Sequence, residues 1–137
     1  MNRTLATIFA SAISIGVIHA GDFKIIANSS VKADSVTADE LKRVFLATAT
    51  SLGGSHVEPV LEKGGATHEA FLKEYVGKTD AALNTYYRSL VFTGKASMPK
   101  QLGSDADVAA YVAKTKGAIG YVATATEAPD VKVLEVK

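Results

Sequence analysis

The stretch Ser35-Val-Thr-Ala-Asp-Glu-Leu-Lys-Arg-Val-Phe-Leu46 decides how the rest of the chain is read. Thr37 followed three residues later by Glu40 forms a reciprocal capping box, in which each side chain satisfies a backbone N–H that the first helical turn leaves free. Leu41, Val44 and Phe45 then recur at helical spacing, and Asp39 pairs with Arg43 four residues on. A helix starting at Thr37 follows. Upstream, Phe23-Lys-Ile-Ile-Ala27 is β-branched and apolar and ends in the turn formers Asn28-Ser29-Ser30, so it reads as a first strand.

Downstream, residues 47 to 55 are small and polar and hold Gly53-Gly54, which marks a loop. His56 to Leu61 reads as a second strand, with Pro59 arguing for an edge position or a bulge because proline cannot donate to a ladder. Gly64-Gly65-Ala66-Thr67 then opens a helix running to about Val76, with Phe71, Leu72, Tyr75 and Val76 on its buried side and Gly77 as its stop. Thr79 or Asp80 caps another helix, in which Leu83, Tyr87 and Leu90 share a face beside Tyr86. Phe92 to Pro99 reads as a loop. Ser104 caps a fourth helix, with Asp107 three residues on and Val108, Tyr111 and Val112 as its apolar face. Strands are expected at Ala118 to Val122 and Val131 to Val136. The order β-α-β-α-α-α-β-β points to a compact α/β domain.

Composition narrows the chemistry. The 137 residues suit one domain, and 47% apolar with 21% charged residues is a globular balance rather than a disordered one. A net charge of +1 gives no basic surplus for nucleic acid. The chain has no cysteine, which removes disulfides, thiolate metal sites and cysteine nucleophiles. Arg3 is the only charge before Asp22, and Leu5 to Ile18 is apolar apart from small interruptions, ending in His19-Ala20-Gly21. This is the pattern of a secretory signal peptide over residues 1 to 20, too short for a membrane span. Its removal leaves 117 of the 137 residues as one domain, 21 to 137, with 14 positive and 14 negative side chains. A disulfide-free exported domain of this size suits a bacterial periplasm.

Candidate motifs mostly fail on spacing. His68-Glu69 starts like the H-E-x-x-H zinc helix, but Leu72 stands where the second histidine belongs. Both His56 and His68 are therefore read as satisfied or solvent-exposed side chains, and no metal is expected. Gly94-Lys95 lacks the following hydroxyl residue and the earlier glycine of a nucleotide loop. No serine sits in a nucleophile elbow, so no catalytic set and no cofactor is expected. Gly64-Gly65-Ala66-Thr67 is different, because free N–H groups at a strand-to-helix turn make a ready anion site. Lys63 adds a cation, Gly65 and Ala66 backbone donors, and Thr67 a hydroxyl. The competing reading makes Thr67 an ordinary helix cap and the glycines an ordinary turn.

Taken together, residues 25 to 31, residues 35 to 46, the Phe71-Leu72 helix after the glycine turn, and Gly117-Ala-Ile-Gly-Tyr-Val122 resemble one lobe of the periplasmic phosphate-binding protein family of ABC transporters. Residues 84 to 95 also look like small single-lobe members of that type 2 periplasmic binding protein superfamily. The resemblance implies a single lobe with a mixed sheet flanked by helices, no enzymatic activity, and phosphate or a similar small oxyanion as ligand. The family's phosphate turn, R-x-x-x-S-G-T, keeps only its threonine here, at Thr67. Leu61, Gly65 and Ala66 occupy the arginine, serine and glycine positions. An arginine fork would add two charge-assisted hydrogen bonds, so the resemblance implies weak binding at Lys63, Gly65, Ala66 and Thr67. Ser29 and Ser30 are expected to border the same cleft, since open α/β sheets bind ligands beyond the carboxyl ends of their strands. Partners would be an ABC permease or another envelope protein. The alternative is an accessory or scaffold module that has lost solute binding and covers its exposed face as a homodimer.

Overall fold

The computed structural model describes residues 23–137. The expected signal segment lies outside these residues. Eight strands and four helices follow in the order β1 (Phe23–Asn28), β2 (Ser35–Val36), α1 (Ala38–Phe45), β3 (Ser51–Leu52), β4 (Ser55–His56), β5 (Glu58–Glu62), α2 (Ala66–Phe71), α3 (Asp80–Phe92), β6 (Lys100–Leu102), α4 (Asp105–Lys114), β7 (Ala118–Ala123) and β8 (Val131–Val136). Thr37 caps α1 with the full reciprocal box, and the Arg43–Asp39 pair closes at 2.8 Å. Thr79 caps α3 and Ser104 caps α4. The helix after the glycine turn widens at Leu72–Val76 into a π turn, where the Gly77 N–H bonds the Leu72 carbonyl.

Six strands form a mixed sheet in the order β2-β8-β1-β7-β5-β6. β1 runs antiparallel to both β7 and β8, whereas β5 runs parallel to β7 and β6. Side chains alternate across the sheet, so Ile25 and Ala27 of β1 join the core beneath α1, α2 and α3 while Ile26 joins the one beneath α4. The larger core gathers Phe23, Phe45, Phe71 and Tyr121, with the Phe71 and Tyr121 rings stacked 4.0 Å apart. The smaller holds Val60, Val108, Val112 and Val122. Tyr86 and Tyr87 fasten α3 to the end of α1 through the carbonyls of Leu46 and Phe45.

The spacing of Gly117-Ala-Ile-Gly120 has a steric origin. A Cβ at Gly120 would sit 3.0 Å from Val108 of α4 and 3.3 Å from the Val60 carbonyl, so the glycine lets α4 press onto the sheet. At Gly117 it would come within 2.7 Å of the His56 carbonyl.

Four expectations change. β5 is an interior strand, not an edge. Pro59 is tolerated because its register partner is Ile119 of β7, while the ladder to β6 begins only at Val60. The expected loop at 47 to 55 contains the two-residue hairpin β3–β4 around Gly53-Gly54, which takes His56 out of the second strand. The segment after Pro99 forms a short strand, β6. Ser35–Val36 adds a two-residue strand parallel to β8.

Candidate functional site

The glycine turn leaves the sheet where β5 ends. The Lys63 N–H donates to the Leu102 carbonyl at 2.9 Å, carrying the β6 pairing to the first residue of the turn. Gly65 is the N-cap of α2, with φ 99° and no side chain to satisfy the helix. The first helical bond runs from the Glu69 N–H to the Gly65 carbonyl at 3.0 Å. The N–H groups of Ala66, Thr67 and His68 therefore precede any intrahelical acceptor. Thr67 is not the cap that the sequence allowed, because it lies two residues past Gly65. Its hydroxyl makes no hydrogen bond with the described residues. Lys63, Gly65 and Ala66 are exposed, and nothing lies within 4 Å of a Cβ built on Gly64 or Gly65. The turn is open backbone with free donors, a hydroxyl and a cation.

Both ends of this turn are anchored to one buried hydroxyl. Tyr121 of β7 accepts from the Glu62 N–H at 3.0 Å and meets His68 Nδ1 at 2.5 Å. On its other side, His68 Nε2 lies 2.7 Å from Asp80 Oδ1, at the start of α3. The bonding fixes the tautomer: Tyr121 donates to Nδ1, and Nε2–H donates to the carboxylate. His68 is 1% exposed and fully bonded, the satisfied histidine expected from sequence, while His56 is exposed beside Glu58.

At the end of β5, on the face that packs against α4, lies a pair of acids that the sequence did not bring together. Glu62, the last residue of β5, is 5% exposed, and its Oε2 is buried with no hydrogen-bond partner. Its carboxyl faces Asp105 at the start of α4, which also accepts the Ala123 N–H at 3.1 Å. Burial, and then the neighbouring Asp105, push the Glu62 carboxyl up to about 8. The raised Glu62 carboxyl favours its protonated form at neutral pH.

Ser29 and Ser30 do not border this turn. Ala27 and Pro59 both pair with Ile119, and from that level Lys63 lies four residues further along β5, roughly 13 Å at the usual strand rise. The two serines lie past the same level in the opposite direction. β1 is antiparallel to β7 and β5 is parallel to it, so their carboxyl ends open at opposite ends of the sheet. Ser30 instead accepts the Gly117 N–H at 3.0 Å, joining the end of β1 to the start of β7. Among the described residues no group of three or more potential metal ligands occurs.

The architecture is an α/β lobe with a glycine turn at the carboxyl end of β5. Solved structures share this fold. A putative phosphate ABC transporter substrate-binding protein from Clostridium perfringens, solved with bound phosphate, superposes with a TM-score of 0.63 at 21% identity over 84% of this chain and 44% of its own. PstS from Borrelia burgdorferi gives 0.64 at 12% identity, covering 85% of this chain and 47% of its own. An ABC-type phosphate transport receptor from Vibrio cholerae gives 0.55 at 14%, over 84% and 46%. The chain thus has the fold of one part of these proteins and spans less than half their length. No protein-family model matches the chain, and no curated protein does either.

Proposed function

We propose that the protein is a periplasmic, noncatalytic, single-lobe module that binds phosphate or a similar small oxyanion weakly and works with phosphate ABC transport. In this reading residues 1 to 20 are a cleaved signal peptide and 21 to 137 one domain. No described helix is long and apolar enough to cross a membrane. The observation that carries the reading is the Lys63–Thr67 turn, with its unpaired Ala66, Thr67 and His68 N–H groups and unengaged Thr67 hydroxyl, on a fold shared with phosphate-binding proteins. Lys63 supplies charge, Gly65 an open approach, Ala66 a backbone donor and Thr67 a backbone donor and a hydroxyl. Ser29 and Ser30 have no part in it.

The affinity follows from what the turn lacks. An anion here meets neutral donors and one flexible ammonium, without a guanidinium fork, and water covers its other side. A Kd on the order of 1 mM, about −4 kcal/mol, is the expected scale. Isothermal titration with inorganic phosphate tests it: binding on that scale that weakens several-fold in Thr67→Ala supports the reading. No heat or shift change up to about 50 mM phosphate, some fifty times that Kd, rejects it.

A second reading, an interaction module, has its own observation. Phe92 at the end of α3 is 92% exposed, Val91 and Met98 are also exposed, and Met98 borders a cleft of about 330 Å³ with Pro59, Val60 and Tyr111. Light scattering separates the two. A dimer that Phe92→Ser dissociates favours the interaction module, and a strict monomer argues against it.

A further inference from the structure

The last turn of α3 differs from the rest of that helix. Leu83 and Tyr87 are buried and Leu90 is half-buried, whereas every residue from Val91 to Lys95 is exposed. The helix closes there in a Schellman turn. Gly94, at φ 72°, donates its N–H to the Val91 carbonyl at 3.1 Å, and the Lys95 N–H donates to the Leu90 carbonyl at 2.8 Å. An apolar side chain often follows such a turn and folds back on the helix; here that position is Lys95. Phe92 stays 92% exposed, one helical turn on from Arg88. Val91, Phe92 and Met98 are three of the four large apolar side chains exposed among the described residues, and all three fall between positions 91 and 98. The charge around them has one sign. Arg88, Lys95 and Lys100 are exposed, and no acid occurs in the sequence between Asp80 and Asp105.

We propose that the tip of α3 docks the domain on an anionic lipid surface, with Phe92 entering the boundary between headgroups and acyl chains and Arg88, Lys95 and Lys100 meeting the lipid phosphates. Apolar side chains flanked by lysine and arginine are the means by which interfacial segments hold such a surface. A lone protruding ring suits lipid better than protein. An exposed phenylalanine offers roughly 200 Å² of surface, whereas each partner in a stable protein interface buries roughly 800 Å². Fluid headgroups part around a ring without a complementary pocket. The contact does not depend on the anion reading of the Lys63–Thr67 turn. α3 begins at Asp80, bonded to His68 beside that turn, and spans 13 residues, roughly 20 Å, before it reaches its tip. The two sites can therefore be altered separately.

The chain has no tryptophan, so Phe92→Trp places a single indole reporter at the tip. On vesicles of equal parts phosphatidylglycerol and phosphatidylcholine, its emission is expected to shift to the blue and saturate. Pure phosphatidylcholine vesicles should bind about a hundredfold more weakly, about fivefold for each of the three basic side chains, and adding Lys95→Gln should weaken binding to the anionic vesicles about fivefold. In co-sedimentation with the anionic vesicles, Phe92→Ser should lower partitioning about tenfold relative to wild type. Val133→Trp, at an exposed position of β8, reports lipid contact elsewhere on the chain, and its emission should stay still. An unmoved emission of Phe92→Trp on anionic vesicles overturns the proposal, as does an equal shift on both vesicle types or in Val133→Trp. A blue shift of Phe92→Trp that grows with protein concentration in the absence of lipid also overturns it, and gives the tip to a second copy of the chain.

Discussion

The two ends of the sheet use the same kinds of residue for opposite purposes. At the end where β1 meets β7, Asn28, Ser30 and Gly117 satisfy one another. Asn28 donates to the carbonyls of Val112 and Ala113 at 2.8 and 3.1 Å, accepts the Ser30 N–H, and Ser30 accepts from Gly117. At the end where β5 meets α2, glycines and a threonine leave N–H groups and a hydroxyl unspent. A closed hydrogen-bond circuit contributes stability, whereas an open one has something to offer a ligand. Residue type alone does not distinguish them; the direction of the strand leading into each turn does.

This contrast breaks most visibly at Asn28. Asn28→Ala strands two carbonyls and the Ser30 N–H in a largely buried place, and a destabilisation of about 2–4 kcal/mol is expected in urea unfolding, with phosphate affinity unchanged. Tyr121→Phe is expected to cost less, about 1–3 kcal/mol, since it removes one hydroxyl from Glu62 and His68 while keeping the ring stacked on Phe71. Because that hydroxyl anchors both ends of the anion turn, this variant should also weaken phosphate binding, which Asn28→Ala should not. A result with the two variants exchanged in their effect on binding would reverse the assignment of the two ends.

A gentler probe is pH. Glu62 is raised from 4.5 to about 8, so the folded protein holds this proton more tightly than the unfolded chain. Its contribution to stability is therefore full below pH 4.5 and is lost as pH rises through about 8. Urea unfolding between pH 5 and 8 should show stability falling with at most about 1.4 kcal/mol per pH unit from this group, a slope that Glu62→Gln removes.

Much of the fold was legible because its signals are local. The capping box at Thr37 and Glu40, the caps at Thr79 and Ser104, and the apolar runs of β1, β7 and β8 each lie within a dozen residues, and each element formed where it was expected. Two- and three-residue strands such as β2, β3, β4 and β6 are too short to show a period of two. The site was only half legible. Lys63 to Thr67 is one turn and can be read from its own residues. Glu62 and Asp105 are distant in sequence, and Asp105 by itself looks like an ordinary first-turn acid of α4. His68 and Tyr121 are 53 residues apart, and nothing near either announces the other. The placement of Ser29 and Ser30 failed for a related reason: local pattern marks a strand but not its direction, and β1 opposes β5 in a mixed sheet.

The central claim is that one end of this lobe is an open anion turn and the other a closed structural knot. The most direct measurement is an amide chemical-shift titration of the full chain with inorganic phosphate. Saturable shifts at Gly65, Ala66, Thr67 and His68, with Ser29, Ser30 and Gly117 still, are the expected result. Shifts that centre on Ser29, Ser30 and Gly117, or that are absent from the Lys63–Thr67 turn, would contradict it.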